Sequence, residues 1–191
     1  MGRFIFKYFN FILLILAKVL SVLPSSLLNT LFSIASSMPT LIGVGIRYVL
    51  LKSISPKIGD NVYIARWVVI KSPSKLEIGN NVSIHEFSYI DAKGGISIGD
   101  DTSLAHNCSL ISFEHSWGEI DKPIKYNKLL LSPIHIAQDV WVGCGARILS
   151  GVSIPSRSIV AAGSVVTSKS VEKSPGIIYA GVPAKKIKKI C

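Results

Sequence analysis

The sequence predicts an all-β solenoid, a three-sided parallel β-helix of about five coils, standing behind an apolar helical segment at the N-terminus. Three observations predict it. Aliphatic residues recur every six positions: Ile58, Ile64, Ile70, then Ile78, Ile84, Ile90, then Ile98, Leu104, Leu110, and finally Ile136, Val142, Ile148, Ile154, Val160 and Val166. The fifth position of the same hexads is small or β-branched, at Val62, Val68, Ser74, Val82, Ser88, Gly94, Thr102, Cys108, Val140, Ala146, Val152, Ser158, Ser164 and Ser170. Between them lie turn sequences: Gly59-Asp60-Asn61, Gly79-Asn80-Asn81 and Gly99-Asp100-Asp101. A helix needs a period of ~3.6 residues, so a six-residue unit rich in β-branched side chains reads as a short strand plus a corner. Three such units close one triangular coil, and successive coils stack about 4.8 Å apart as parallel strands.

Residues 1–57 come first. They hold six basic residues (Arg3, Lys7, Lys18, Arg47, Lys52, Lys57) and no carboxylate, and so supply +6 of the formal +10. Phe4 to Leu20 reads as a helix, and Pro24 and Pro39 interrupt the apolar sequence beyond it. A spanning helix needs roughly 20 nearly uncharged residues, whereas Lys7, Asn10 and Lys18 interrupt this stretch. Three readings stay open: an interfacial anchor on an anionic bilayer, a cap over one end of the repeat, or a cleaved leader, for which no clear A-x-A site is present.

Residues 58–178 form the repeat body. Its spacing grows to eight after Ile70 and after Ile90, which lengthens a corner, and to 26 after Leu110. The last gap predicts a long loop leaving the solenoid near residues 112–133. Residues 179–191 are a basic tail containing Lys185, Lys186, Lys188 and Lys189.

With 191 residues, 49% hydrophobic and 17% charged, the chain has the makings of one domain with a substantial core, which excludes a disordered tail or a disulfide miniprotein. Cys108, Cys144 and Cys191 form no CxxC pair, and their odd number points to a reducing, cytoplasmic setting. The basic residues flank apolar sequence or cluster in the tail and do not interleave with aromatics across the repeat, so nucleic acid is not an expected partner.

The pattern of an aliphatic residue, Gly, two variable residues and a small residue resembles the hexapeptide-repeat acyltransferases. The most telling stretches are Ile136-Ala-Gln-Asp-Val-Trp-Val-Gly-Cys-Gly-Ala-Arg-Ile-Leu-Ser-Gly-Val152, Val160-Ala-Ala-Gly-Ser-Val-Val-Thr167 and Tyr179-Ala-Gly-Val-Pro-Ala-Lys-Lys-Ile-Lys188. They look like the maltose and galactoside O-acetyltransferases and the sugar O-acetyltransferases of bacterial surface-polysaccharide pathways. The resemblance implies a left-handed coil, a hand that periodicity alone does not give because parallel crossovers are normally right-handed. It also implies a homotrimer with acetyl-CoA in the groove between neighbouring prisms, the acceptor sugar near the excursion loop, and a general-base histidine at the start of that loop. His115 stands at that place.

Transfer from a thioester to a hydroxyl requires a group that removes the alcohol proton near neutral pH, and imidazole fits without large tuning. Asn107, Glu114, Trp117 and Ser88 are the acceptor-side candidates, although Ser88 occupies an inward position where some relatives place an acceptor-binding Asn. Trp141, Cys144, Ala162 and Thr167 match the pantetheine channel, and Lys185 and Lys188 match cations near the nucleotide. His85, His106 and His135 are expected to face outward from the prism. Cys108 and Cys144 lack an evident activating partner, so direct transfer is expected rather than an acyl-cysteine. An N-acyltransferase acting on an amino sugar or amino acid, and a non-catalytic scaffold, are the alternatives. Zinc hydratases of the gamma carbonic anhydrase type need three converging histidines, and separations of 21, 9 and 20 among His85, His106, His115 and His135 do not supply their close pair, so no metal is expected. A lipid-linked acceptor would give the N-terminal segment a purpose, holding the protein peripherally at the inner face of the cytoplasmic membrane.

Overall fold

Three helices lead into the repeat: α1 (Gly2–Leu20), α2 (Ser25–Ala35) and α3 (Thr40–Ile54). The computed structural model describes residues 2–190, with the side chains of residues 2–5 and 7 lying, like Cys191, outside the described part. Pro24 and Pro39 occupy the positions just before α2 and α3, so the breaks marked by these prolines are helix starts. Phe6, Leu13 and Ala17 of α1, and Leu28, Phe32 and Ala35 of α2, are buried in one cluster with Tyr48, Leu50 and Leu51 of α3 and with the interior of the repeat.

The repeat body consists of five complete coils. They are β1 (Lys57–Ile58), β2 (Tyr63–Ile64) and β3 (Val69–Lys71); β4 (Leu76–Ile78), β5 (Ser83–Ile84) and β6 (Tyr89–Asp91); β7 (Ile96–Ile98), β8 (Ser103–Leu104) and β9 (Ser109–Ile111); then, after a hairpin of β10 (Phe113–His115) and β11 (Leu129–Leu131), β12 (Ile134–Ile136), β13 (Trp141–Val142) and β14 (Arg147–Ile148); and β15 (Ser153–Ile154), β16 (Ile159–Val160) and β17 (Val165–Val166). Strand β18 (Ile177–Gly181) opens a sixth coil and turns back antiparallel into β19 (Ala184–Lys189). The three sides are sheets β1-β4-β7-β12-β15, β2-β5-β8-β13-β16-β18-β19 and β3-β6-β9-β14-β17. All pairs along the solenoid are parallel, and the six-spaced aliphatics stack in register, as in Ile64, Ile84, Leu104, Val142 and Val160, with Tyr179 continuing the column into the sixth coil.

The inward companion lies two residues before each aliphatic, and the two-residue insertions change which residue fills that place. Leu76 and Ile96 take it, buried and paired with each other across β4 and β7. The expected small inward residues at Ser74, Gly94 and Ser170 are therefore corrected. Ser74 is exposed within a short 3-10 turn, and Gly94 and Ser170 are only half-buried at corners. The division at residue 178 falls inside β18, and the basic tail is a strand of the second sheet.

The corners are compact. A Cβ on Gly79 would lie 2.2 Å from Asp100 Oδ1 and 2.8 Å from the Asp100 nitrogen, so only glycine lets these coils approach. Asn61, Asn81 and Asp101 stand two residues beyond such glycines in the left-handed region, with φ of 56°, 57° and 56°. Asn61 Nδ2 donates to Asn81 Oδ1 and Asn81 Nδ2 donates to Asp101 Oδ1, each at 2.9 Å. Asn and Asp tolerate this conformation, and the side-chain ladder ties one coil to the next.

The first coil has no predecessor, and α3 replaces it. In the second coil, Ile78 O and Ile84 O accept from Gly59 N and Ala65 N of the first. The equivalent carbonyls of the first coil accept from side chains: Ile58 O from Lys52 Nζ at 2.7 Å and Ile64 O from Arg47 Nε at 2.9 Å. Arg47 Nη1 also donates to Ala35 O at 3.0 Å and Met38 O at 2.8 Å, tying α2 to the same point. Replacing Arg47 with Met would leave three carbonyls short of a donor, two of those bonds being buried, at a cost of about 3 kcal/mol. A urea-unfolding curve of Arg47→Met should show that loss, with the β-helix signal still present before the transition.

Candidate active site

The 20-residue excess between Leu110 and Ile136 forms a hairpin that leaves the solenoid at the corner between the third and first sheets. Phe113 pairs with Leu131, Glu114 with Leu130 and His115 with Leu129. Ser112 stays in the column beneath it, buried, with its hydroxyl donating to Asp91 O at 2.8 Å. The tip is held by the buried Asn127, whose Oδ1 accepts from Glu119 N at 2.9 Å and whose Nδ2 donates to Glu119 O, Lys122 O and Pro123 O. No periodicity marks Asn127 in the sequence, because its partners belong to an irregular turn.

Alternation along β10 separates its side chains. Glu114 is exposed and accepts a hydrogen bond from Ser150 Oγ at 2.7 Å, which clasps the hairpin to the fourth coil. His115 lies on the side of Phe113, their rings 6.5 Å apart and edge-to-face, while Lys93 Nζ sits 5.7 Å from the Phe113 ring. His115 is half-buried, and its Nδ1 is buried with no hydrogen-bond partner. A buried polar nitrogen with no partner is costly.

The remaining candidates fall into separate places. Asn107 is exposed at the corner between the second and third sheets, in the left-handed region, and its carbonyl accepts from Arg147 Nη1 at 2.5 Å. Trp117 is 71% exposed beyond β10. Ser88 is corrected as an acceptor-binding residue: it is 1% exposed inside the prism, with its hydroxyl donating to Ala105 O at 3.2 Å. Among the other histidines, His106 and His135 are exposed, with His135 Nδ1 2.8 Å from Ser97 Oγ. His85 is half-buried beside Tyr63, their rings 5.7 Å apart.

Cys144 and Ala162 stack at the same corner as Asn107, with Gly163 N donating to Cys144 O at 2.8 Å. Trp141, Ile159, Ile178 and Lys188 form one cross-strand row over β13, β16, β18 and β19. Trp141 and Lys188 are both exposed, about 14 Å apart by strand spacing. Lys185 pairs with Ala180 in the same hairpin, and the neighbouring Lys186 is engaged with Glu172 at 3.0 Å. The second sheet thus carries an apolar ledge ending in cations, a surface that fits a long ligand with an apolar arm and a phosphorylated end. Thr167 stands apart at the end of the third sheet, its Oγ1 3.0 Å from Ser170 Oγ. One prism therefore divides the candidates: His115, Glu114 and Thr167 at one corner, and Trp141, Cys144, Ala162, Lys185 and Lys188 on the second sheet and its far corner. Among the described residues no group of three or more His, Cys, Asp and Glu side chains converges as for a metal.

Galactoside O-acetyltransferase of Escherichia coli K12 is 30% identical over 143 residues, which span 74% of this chain and 67% of that protein. The chain belongs to the hexapeptide-repeat acyltransferase family. A solved galactoside acetyltransferase in complex with coenzyme A superposes with a TM-score of 0.71 at 27% identity, covering 87% of this chain and 79% of that one. The coils of this hexapeptide-repeat protein are those of the left-handed β-helix. A tetrahydropyridine-dicarboxylate N-acetyltransferase of Clostridium perfringens is 50% identical over 60 residues, 31% of this chain and 24% of that one. No family model matches the chain.

Within this acyltransferase, Cys108 is sealed in the prism, its Sγ 3.3 Å from Gly143 O, and burial pushes its thiol from 9.0 up to about 11. A thiol raised on folding contributes stability fully below its unfolded value, and that contribution is lost as the pH rises through about 11. Native protein at pH ~8 should therefore leave Cys108 unmodified by iodoacetamide, as read by peptide mass mapping, and urea should expose it. Melting curves should fall between pH 9.0 and about 11.

Proposed function

We propose that the protein transfers an acetyl group from acetyl-CoA to a sugar hydroxyl by direct attack, with His115 as general base. The observation that carries this reading is the place of His115, half-buried on the hairpin that leaves the solenoid and is held through Glu114–Ser150 and Asn127, in a chain related to galactoside O-acetyltransferase. His115 takes the proton as the acceptor oxygen bonds to the thioester carbonyl carbon. The tetrahedral adduct collapses, the carbon–sulfur bond breaks, and the proton passes to the departing thiolate. Cys108, sealed in the prism, is not available as an acyl-cysteine.

The separation of His115 from the ledge at Trp141 and Cys144 supports a homotrimer. The hairpin of one copy would overhang the second sheet of its neighbour, bringing base and thioester together and making the complete site intermolecular. A lipid-linked sugar of surface-polysaccharide assembly is the acceptor class we favour, handled in the cytoplasm at the membrane face. An N-acetyltransferase activity is the second reading, supported by the 50% identity over 60 residues to an enzyme of that class.

A panel of sugars and amino sugars, assayed by thiol release and product mass, separates the two. His115→Ala is expected to lower kcat roughly 100-fold with little change in the KM for acetyl-CoA. Rates near wild type would move the base elsewhere. Lys188→Ala should raise that KM several-fold, roughly threefold or more, while leaving kcat unchanged.

A further inference from the structure

We propose that the face formed by α1 and α3 docks in the plane of an anionic bilayer. From Phe11 to Ala17 helix α1 is apolar on all sides, and only one of them is used by the fold. Leu13 and Ala17 are buried, whereas Phe11, Ile15 and Val19 are exposed at 76%, 47% and 60%. The exposed side continues into an apolar groove of about 560 Å³ between α1 and α3, which runs past Ile12, Leu16 and Ile42. Contiguous apolar surface of this kind on a water-soluble fold marks a contact site.

The charge decides what covers it. The first carboxylate of the chain is Asp60, and six basic residues precede it. Arg47 is buried and Lys52 is paired with Asp60 at 3.8 Å, while Lys18 is exposed in the last turn of α1, on the side of Phe11 and Ile15. Two copies placed face to face would set the Lys18 side of one against that of the other with no carboxylate on α1 or α3 to pair with it, which repels. A surface of anionic headgroups over acyl chains complements both the charge and the apolar area. No helix among the described residues is long and apolar enough to cross a membrane, and Leu13 and Ala17 tie α1 to the cap, so the helix lies along the interface. Docking there places the cap helices against the bilayer with the first coil behind them, and the coil from which the His115 hairpin leaves stands about 10 Å beyond the first along the axis. That reach toward a membrane-bound acceptor rests on the proposed function; the docking does not.

The test is co-sedimentation of the full chain with sucrose-loaded vesicles at low salt. The vesicles are phosphatidylcholine alone or phosphatidylcholine carrying about a third phosphatidylglycerol. The protein is expected to pellet with the anionic vesicles and to be released as salt rises. The bound fraction should fall about tenfold or more in Phe11→Asp and Ile15→Asp, and severalfold in Lys18→Glu, with far-ultraviolet circular dichroism unchanged. Wild-type protein left in the supernatant with anionic vesicles would overturn the proposal, as would Phe11→Asp and Ile15→Asp binding like wild type. Light scattering that shows large assemblies dissolved by the same substitutions, without vesicle binding, would assign the face to a second copy instead.

Discussion

The structure depends on one constraint: every coil must present to the next the same donors and acceptors that it received from the last. Parallel stacking satisfies this inside the solenoid, where Gly59 N, Gly79 N and Gly99 N donate to Ile78, Ile98 and Ile136 carbonyls in turn. At the ends it fails, and an open edge is both unsatisfied and sticky. The N-terminal edge is answered by side chains, Lys52 and Arg47 donating to Ile58 O and Ile64 O, and by Ser36 O accepting from Trp67 N. At the other end, β18 folds back into β19 and its lysines line the new margin. Charged side chains on a terminal strand discourage edge-to-edge association.

Stacking also explains where variation is tolerated. Residues on the strands and tight corners are copied from coil to coil, because a change displaces a neighbour's backbone by contact; Gly79 against Asp100 is the clearest case. The corner between the third and first sheets is the one that absorbs insertions, two residues at Pro73–Lys75 and the whole hairpin at Phe113–Leu131. The proposed base stands at that corner for the same reason. A side chain there, such as His115, can be placed by local contacts without upsetting the ladder, and Ser150, from the coil above, clasps the hairpin through Glu114.

The N-terminal helices serve two surfaces at once. Their inner sides finish the solenoid core, with Tyr48 and Leu51 fully covered. The outer sides of α1 and of the start of α3 remain apolar although none of the described residues covers them, whereas α2 exposes Ser25, Ser26, Thr30 and Ser33. A sequence under pressure only to cap a β-helix would carry polar residues there, as amphipathic surface helices do.

The six-residue period by itself determined the three-sided section, the column of each aliphatic residue, the corners at Asn61, Asn81 and Asp101, and the point where the loop departs. All of these arise from local repetition, which a linear sequence records. The repetition marks where the loop begins, whereas the proposal of His115 as base comes from the family resemblance and not from the period. Tertiary structure alone decided that Leu76 and Ile96 displace Ser74 and Gly94 from the interior, that Ser88 is sealed from any acceptor, and that Asn127 and Ser150 hold the hairpin. It also decided that the basic tail is a strand and that one side of α1 is spent on the cap while the other is left bare. These outcomes depend on contacts between residues far apart in the chain, whose energies a period cannot carry.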